Sequence, residues 1–260
     1  MMLGSFRKIR RAAAPAVAIA MLTGCSAFLP KESGPVALDR SAWAAKSRAA
    51  VTPGTPWQHH RLPGKAATLF EYAHKDGRDT LAAEAVSSAS MLRRKLMISP
   101  AELGHVQFSW KVPELIADAD TASRDADDSP VRVILAFEGD RKGFSAKNAL
   151  LSELSLTLTG EELPYATLMY VWCNKRAPGT VITSARTDRV RTIVVESGPK
   201  KLDRWLDYER NIRADFERAF GEAPGALVGV AIMTDSDNTK TTARAWYGPV
   251  QFAPAAAPRQ

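Results

Sequence analysis

The stretch VRVILAF, Val131 to Phe137, alternates. In an extended chain successive side chains point to opposite faces, so Val131, Val133, Leu135 and Phe137 share one side and Arg132 stands on the other. VQFSWKV, Val106 to Val112, repeats the pattern, with Gln107, Ser109 and Lys111 opposite an apolar row that places Trp110 in the core. A period of two with one apolar face marks a half-buried strand. Working outward, Thr68 to Ala85 (TLFEYAHKDGRDTLAAEA) reads as a hairpin turning at Asp76-Gly77, a pair that reaches positive φ at little cost. Further strands are expected at ASMLRRKLMI, ATLMYVWCN, RTIVVES, ALVGVAIMT and TARAWYGPVQF.

Two segments break the alternation. SAKNALLSELSLTL has a helical pattern. So does DRWLDYERNIRADFERAF, whose Trp205, Tyr208, Ile212, Phe216 and Ala219 form one stripe before Gly221 and Pro224. The expected fold is therefore mainly β: a jelly-roll-like antiparallel β-sandwich with one or two peripheral α-helices.

The beginning of the chain is an address. Arg7, Lys8, Arg10 and Arg11 precede an apolar run from Ala12 to Leu22, which is too short to span a bilayer and closes on Leu22-Thr23-Gly24-Cys25. This ending resembles the bacterial lipoprotein signal. The resemblance implies cleavage after residue 24, a diacylglycerol on Cys25 and further acylation with a fatty acid such as palmitate. Ser26, where an aspartate would signal inner-membrane retention, implies an outer-membrane lipoprotein on the periplasmic face. The expected organisation is a signal peptide over 1–24, a lipidated cysteine and flexible tether over 25–56, a single sandwich domain over 57–252 and a disordered tail over 253–260. Within the tether, LDRSAWAAKSRAA is expected to form a short helix.

The leader also accounts for much of the charge. Four of the seven excess positive charges sit in it, and no Lys/Arg run interleaved with aromatics follows, which excludes nucleic acid as a partner. With Cys25 acylated, Cys173 has no disulfide partner within the chain and reads as a buried core thiol. The histidines, His59, His60, His74 and His105, lack zinc-ligand spacing.

FSWKV, RDADDSPVRVILAF, LPYATLMYVW, VVESG, ERNIRADFERAFG and TDSDNTKTTARAWYG occur in the order seen in the bacterial family catalogued as domain of unknown function 3047. The chain resembles that family over nearly all of 57–252. The resemblance implies no established reaction. Many relatives carry a glycine after the YVW motif where this chain has Cys173, a departure that weakens a catalytic role for the thiol.

Candidate site residues fall into three groups. Asp127 and Asp128 precede one strand, and Asp235, Asp237 and Asn238 end another. Oxygen ligands of this kind suit Ca²⁺ if both loops converge; the competing role is to cap turns. Arg132, beside the first acidic loop, fits either a structural ion pair or a grip on a ligand's carboxylate or phosphate. Trp172 and Trp246, with Arg244, are the candidate ligand-binding rings and cation, since sugar-binding sandwiches expose rings along a sheet face. Glu84 with Asp235, or Asp127 with Asp237, would be the carboxylate pairs for glycoside hydrolysis. No Gly-x-Ser-x-Gly elbow, phosphate-cradling glycine loop or His-Glu-x-x-His helix is present, so no catalytic residue is assigned. The expected function is a non-catalytic, lipid-anchored protein binding a carbohydrate-like ligand such as a glycan or envelope polymer. An aspartate-dependent envelope hydrolase and a protein-interaction module of the envelope are the alternatives.

Overall fold

The alternation resolves into two stacked sheets. The computed structural model describes residues 40–47 and 54–254. The leader, Cys25, most of the tether and the tail from 255 lie outside them. In chain order the elements are α1 (Ala42–Lys46), β1 (Gln58–Arg61), β2 (Leu69–Lys75), β3 (Arg78–Val86), β4 (Ala89–Ile98), β5 (His105–Lys111), β6 (Ser129–Phe137), α2 (Ala146–Thr159), β7 (Ala166–Cys173), β8 (Val181–Thr183), β9 (Val190–Ser197), β10 (Leu206–Asn211), α3 (Ile212–Phe220), β11 (Leu227–Asp235), β12 (Thr242–Tyr247) and β13 (Gln251–Ala253).

One sheet has the order β1-β4-β11-β6-β7-β9-β8, the other β10-β5-β12-β3-β2, with β13 also on β5. The chain crosses between the sheets repeatedly, at β1/β2, at each step from β3 to β6 and at each step from β9 to β12, which gives the jelly-roll-like sandwich expected. Among the described strands, pairing is antiparallel except for β7 with β9, which run parallel. The β2–β3 hairpin turns at Asp76 (φ 52°) and Gly77 (φ 77°), both in the left-handed region.

The two inner faces meet in one core. The row read from VRVILAF packs with Leu168, Tyr170, Trp172 and Ile232 against Phe108, Trp110, Ala245 and Tyr247 of the opposite sheet. Phe108 stacks on Tyr170 at 5.5 Å between ring centroids. Burying such rings and branched chains is the main stabilising contribution of the fold.

Two expectations need correction. The segment Asp203–Phe220 is not one helix: Leu206–Asn211 is strand β10, paired with β5, and only Ile212–Phe220 is helical. Its first half alternates, with Leu206, Tyr208 and Arg210 half-buried and Asp207, Glu209 and Asn211 exposed. Tyr208 fits both periods, and stacking on Phe108 at 5.4 Å decides for the strand. The Asn211 side chain then accepts from the Ala214 N–H and starts α3.

The second correction concerns the tether. α1 forms within it, capped by Ser41, but it is not a free spacer: Trp43 is fully buried and its ring lies 5.0 Å from that of Trp57. The packed domain therefore includes residues before 57.

Candidate functional site

β6 and β11 are apolar on both faces. Behind the core row, Ile134, Ala231 and Met233 join Ala89, with Leu62, Met91 and Met169 packed against them, on the outer face of the seven-stranded sheet. α2 crosses this face. Asn148 ties its first turn to the loop before β9, donating to Asp188 (2.7 Å) and accepting from Thr187 (2.7 Å). Its far end closes at Gly160 (φ 73°). Just beyond, Glu161 accepts two bonds from Arg93 (2.6 and 3.1 Å) and one from Lys95 (2.8 Å). These two cations hold the Glu161 carboxyl down to about 2. Between helix and sheet lies a cleft of about 560 Å³, a size typical of small-molecule sites. Leu62, Met91, Ile134, Leu154, Met169 and Met233 give it its apolar walls. His60 is at its margin, and burial and the nearby Arg93 lower its pKa, which favours the uncharged ring.

The cleft ends at the acidic loops, which do meet. Pro130 explains part of the geometry. It has no N–H for a ladder, and the β6–β11 register shifts there, between Met233 and Asp235. The irregularity aims the Ser129 N–H at Asp235 Oδ1 (3.0 Å). The same oxygen accepts from Arg132 Nε at 2.9 Å. Arg132 Nη2 donates to the Asp127 side chain (2.9 Å) and to its carbonyl (2.8 Å). Asp128 is fully engaged in holding the other loop: it accepts from the Asn238 N–H (3.1 Å), the Thr239 N–H (2.7 Å) and the Thr239 hydroxyl (2.7 Å). Lys65 pairs with Asp237.

One oxygen each from Asp128, Asp235 and Asp237 lies within 4.8 Å of the others. Those three residues are the ones that would hold a cation. Calcium takes 6–8 oxygens, and here Arg132 and Lys65 already neutralise two of the three carboxylates. Arg132 is 3% exposed and Asp235 4%. Burial pushes the Asp235 carboxyl up to about 6, with Arg132 opposing the shift.

Arg132, Asp127, Asp128, Asp235, Asp237 and Asn238 are thus brought together. The other candidates are elsewhere. Trp172 points into the core, its indole N–H donating to the Gly198 carbonyl at 3.0 Å, so it cannot meet a ligand. Arg244 and Trp246 are on the six-stranded sheet, away from the cleft. Arg244 faces Glu84 across the β12–β3 pair and bonds it at 2.7 Å, and Lys75 covers the half-buried Trp246 ring at 4.9 Å. Glu84 and Asp235 are therefore on different sheets and cannot act as a pair. The sequence reading passed over Lys65, Met91, Met169 and the α2 leucines. The available signal was the apolar run from Val133 to Phe137 in β6 and from Leu227 to Met233 in β11, which requires cover on both faces.

The ordered motifs are matched by a family model: the chain belongs to the family described as protein of unknown function (DUF3047), over residues 55–251. Among solved structures it is similar to the xyloglucanase domain of NopAA, a type three effector from Sinorhizobium fredii, in complex with cellobiose. That likeness has 8% identity and a TM-score of 0.40 over 80% of this chain and 100% of that one. No curated protein matches the chain.

Proposed function

We propose that this DUF3047 protein is a non-catalytic binding protein, held on the periplasmic face of the outer membrane through acylated Cys25, and that its ligand lies in the cleft under α2. The observation that carries this reading is the cleft: a sheet face lined by aliphatic side chains and methionines, roofed by a helix pinned at both ends and closed by a buried ion cluster. Methionines adapt to irregular apolar shapes. Among the described residues the cleft lining has no Trp, Tyr or Phe and so offers a glycan no stacking platform. An apolar-bodied ligand fits the site better than the sugar expected from the sequence.

Gly229 offers a direct test. It lines the cleft, and a Cβ built there would meet only ordinary contacts, Ala136 Cβ at 3.5 Å and the Arg94 carbonyl at 3.7 Å. Gly229→Leu should fill the floor without moving the backbone. Titrating the full chain with the apolar fluorophore N-phenyl-1-naphthylamine is expected to show saturable binding that weakens at least about tenfold in the variant. The melting temperature should stay within about 2 °C. Equal binding by both proteins would remove the ligand from the cleft. Radiolabelled palmitate entering the wild type but not Cys25→Ala tests the anchor separately.

A hydrolase is the second reading, and one observation favours it: a carboxyl raised to about 6 at the end of a cleft, beside Asp127. Against it, Asp235 is almost inaccessible and one of its oxygens already accepts two bonds.

A further inference from the structure

α2 is built inside out. Its buried residues are polar, Asn148 (5% exposed) and Ser152 (6%). Leu150, Leu154 and Leu158 are 65%, 51% and 62% exposed. Spaced four apart, they form a single stripe along the helix. Leu154 and Leu158 also line the mouth of the cleft, so the outer stripe and the cleft wall are one continuous apolar surface.

We propose that α2 lays this stripe on the bilayer surface and that the cleft takes a lipid acyl chain from it. The proposal rests on the cleft being the ligand site and on the anchor at Cys25. Only 14 residues separate Cys25 from Arg40, where the described structure begins. Fully extended they reach about 50 Å, so an acylated chain holds the domain permanently beside lipid. A second copy is a poorer occupant: a few leucines on a helix about 21 Å long cover on the order of a few hundred Å², short of the roughly 800 Å² per partner of a stable interface. Lys142 and Lys147 are exposed at the start of the helix, where their ammonium groups reach phosphates while their stems stay apolar. Glu153 is the single acid within α2. A chain leaving the bilayer along Leu154 and Leu158 enters the cleft without crossing water.

The test uses the mature, acylated full chain in vesicles of phosphatidylethanolamine and phosphatidylglycerol. An environment-sensitive nitrobenzoxadiazole label is placed on Leu150→Cys, and on Val86→Cys, an exposed position of the other sheet, as control. The label at 150 is expected to shift to the blue and to be quenched by doxyl lipid, and the label at 86 to do neither. A Leu154→Glu change in the same protein should abolish the shift without lowering the melting temperature. A phosphatidylethanolamine with a diazirine in its acyl chain is expected to crosslink to peptides carrying Met91, Met169 or Met233. A water-exposed label at 150 overturns the docking while leaving the fluorophore titration of the cleft untouched. Crosslinks confined to other peptides overturn the acyl-chain assignment. A chain that does not remain with the vesicles overturns the anchor, and the proposal with it.

Discussion

Arg132→Ala is expected to remove about 3–5 kcal/mol of folding free energy, read from the midpoint and slope of urea unfolding. The guanidinium is held by Asp235, by the Asp127 side chain and by the Asp127 carbonyl, in a place water hardly reaches. Truncation leaves Asp235 buried with the Ser129 N–H as its remaining partner from this set. The loss would be large because a charge is stranded, and not because the pair itself is worth so much. Replacing both members by apolar residues of similar size, as in Arg132→Met with Asp235→Leu, should therefore cost far less than Arg132→Ala alone. If the single and double variants lose equal stability, the ion pair is not what holds the two loops.

The same cluster sets a pH dependence. The Asp235 carboxyl lies at about 6 in the folded protein against 3.8 for an unperturbed aspartate, chiefly because burial penalises its charge. A raised pKa means that the folded state binds the proton more tightly than the unfolded state. The stability this confers is complete below about 3.8 and is lost as pH rises through about 6. Asp235→Asn keeps the shape of the neutral acid and cannot ionise. Between pH 4 and pH 7 the stability difference should move in favour of the asparagine variant by on the order of 3 kcal/mol. Parallel profiles for the two proteins would mean that Asp235 titrates like an ordinary aspartate.

Trp43→Ala carries a comparable effect, about 3–5 kcal/mol, or roughly 10 °C in melting temperature. The indole is fully buried against Trp57 in the main core, and truncation removes both its buried apolar area and its packing contacts. A protein begun at Trp57 should show the same loss, since it lacks α1 altogether. An unchanged melting curve would mean that α1 touches the domain without supporting it.

The seven side chains of VRVILAF carried the fold reading because strand geometry is local: two residues apart means the same face, whatever the rest of the chain does. The Asp76-Gly77 turn was legible for the same reason, since positive φ is a property of two residues. The segment from Asp203 to Phe220 was not, because Tyr208 satisfies both a strand and a helix and only its partner Phe108 breaks the tie. Trp43 looked like part of a spacer because alanine-rich sequence around a single ring gives no sign of what that ring will meet.

By itself, the sequence determined a two-faced β chain with its core rows, its hairpin and its family membership, all of which follow from short-range periodicity and ordered motifs. It did not determine the site. Residues more than a hundred positions apart, Asp127 and Asp235, were placed on one arginine by the antiparallel pairing of β6 with β11 and by the irregularity at Pro130. The inverted helix depends on tertiary structure as well. Its pattern shows that a helix forms, but hydrogen bonds from Asn148 to one loop and ion pairs from Glu161 to β4 decide that Asn148 and Ser152 are the residues it buries. Packing fixes which face is covered, and periodicity can say only that a face exists.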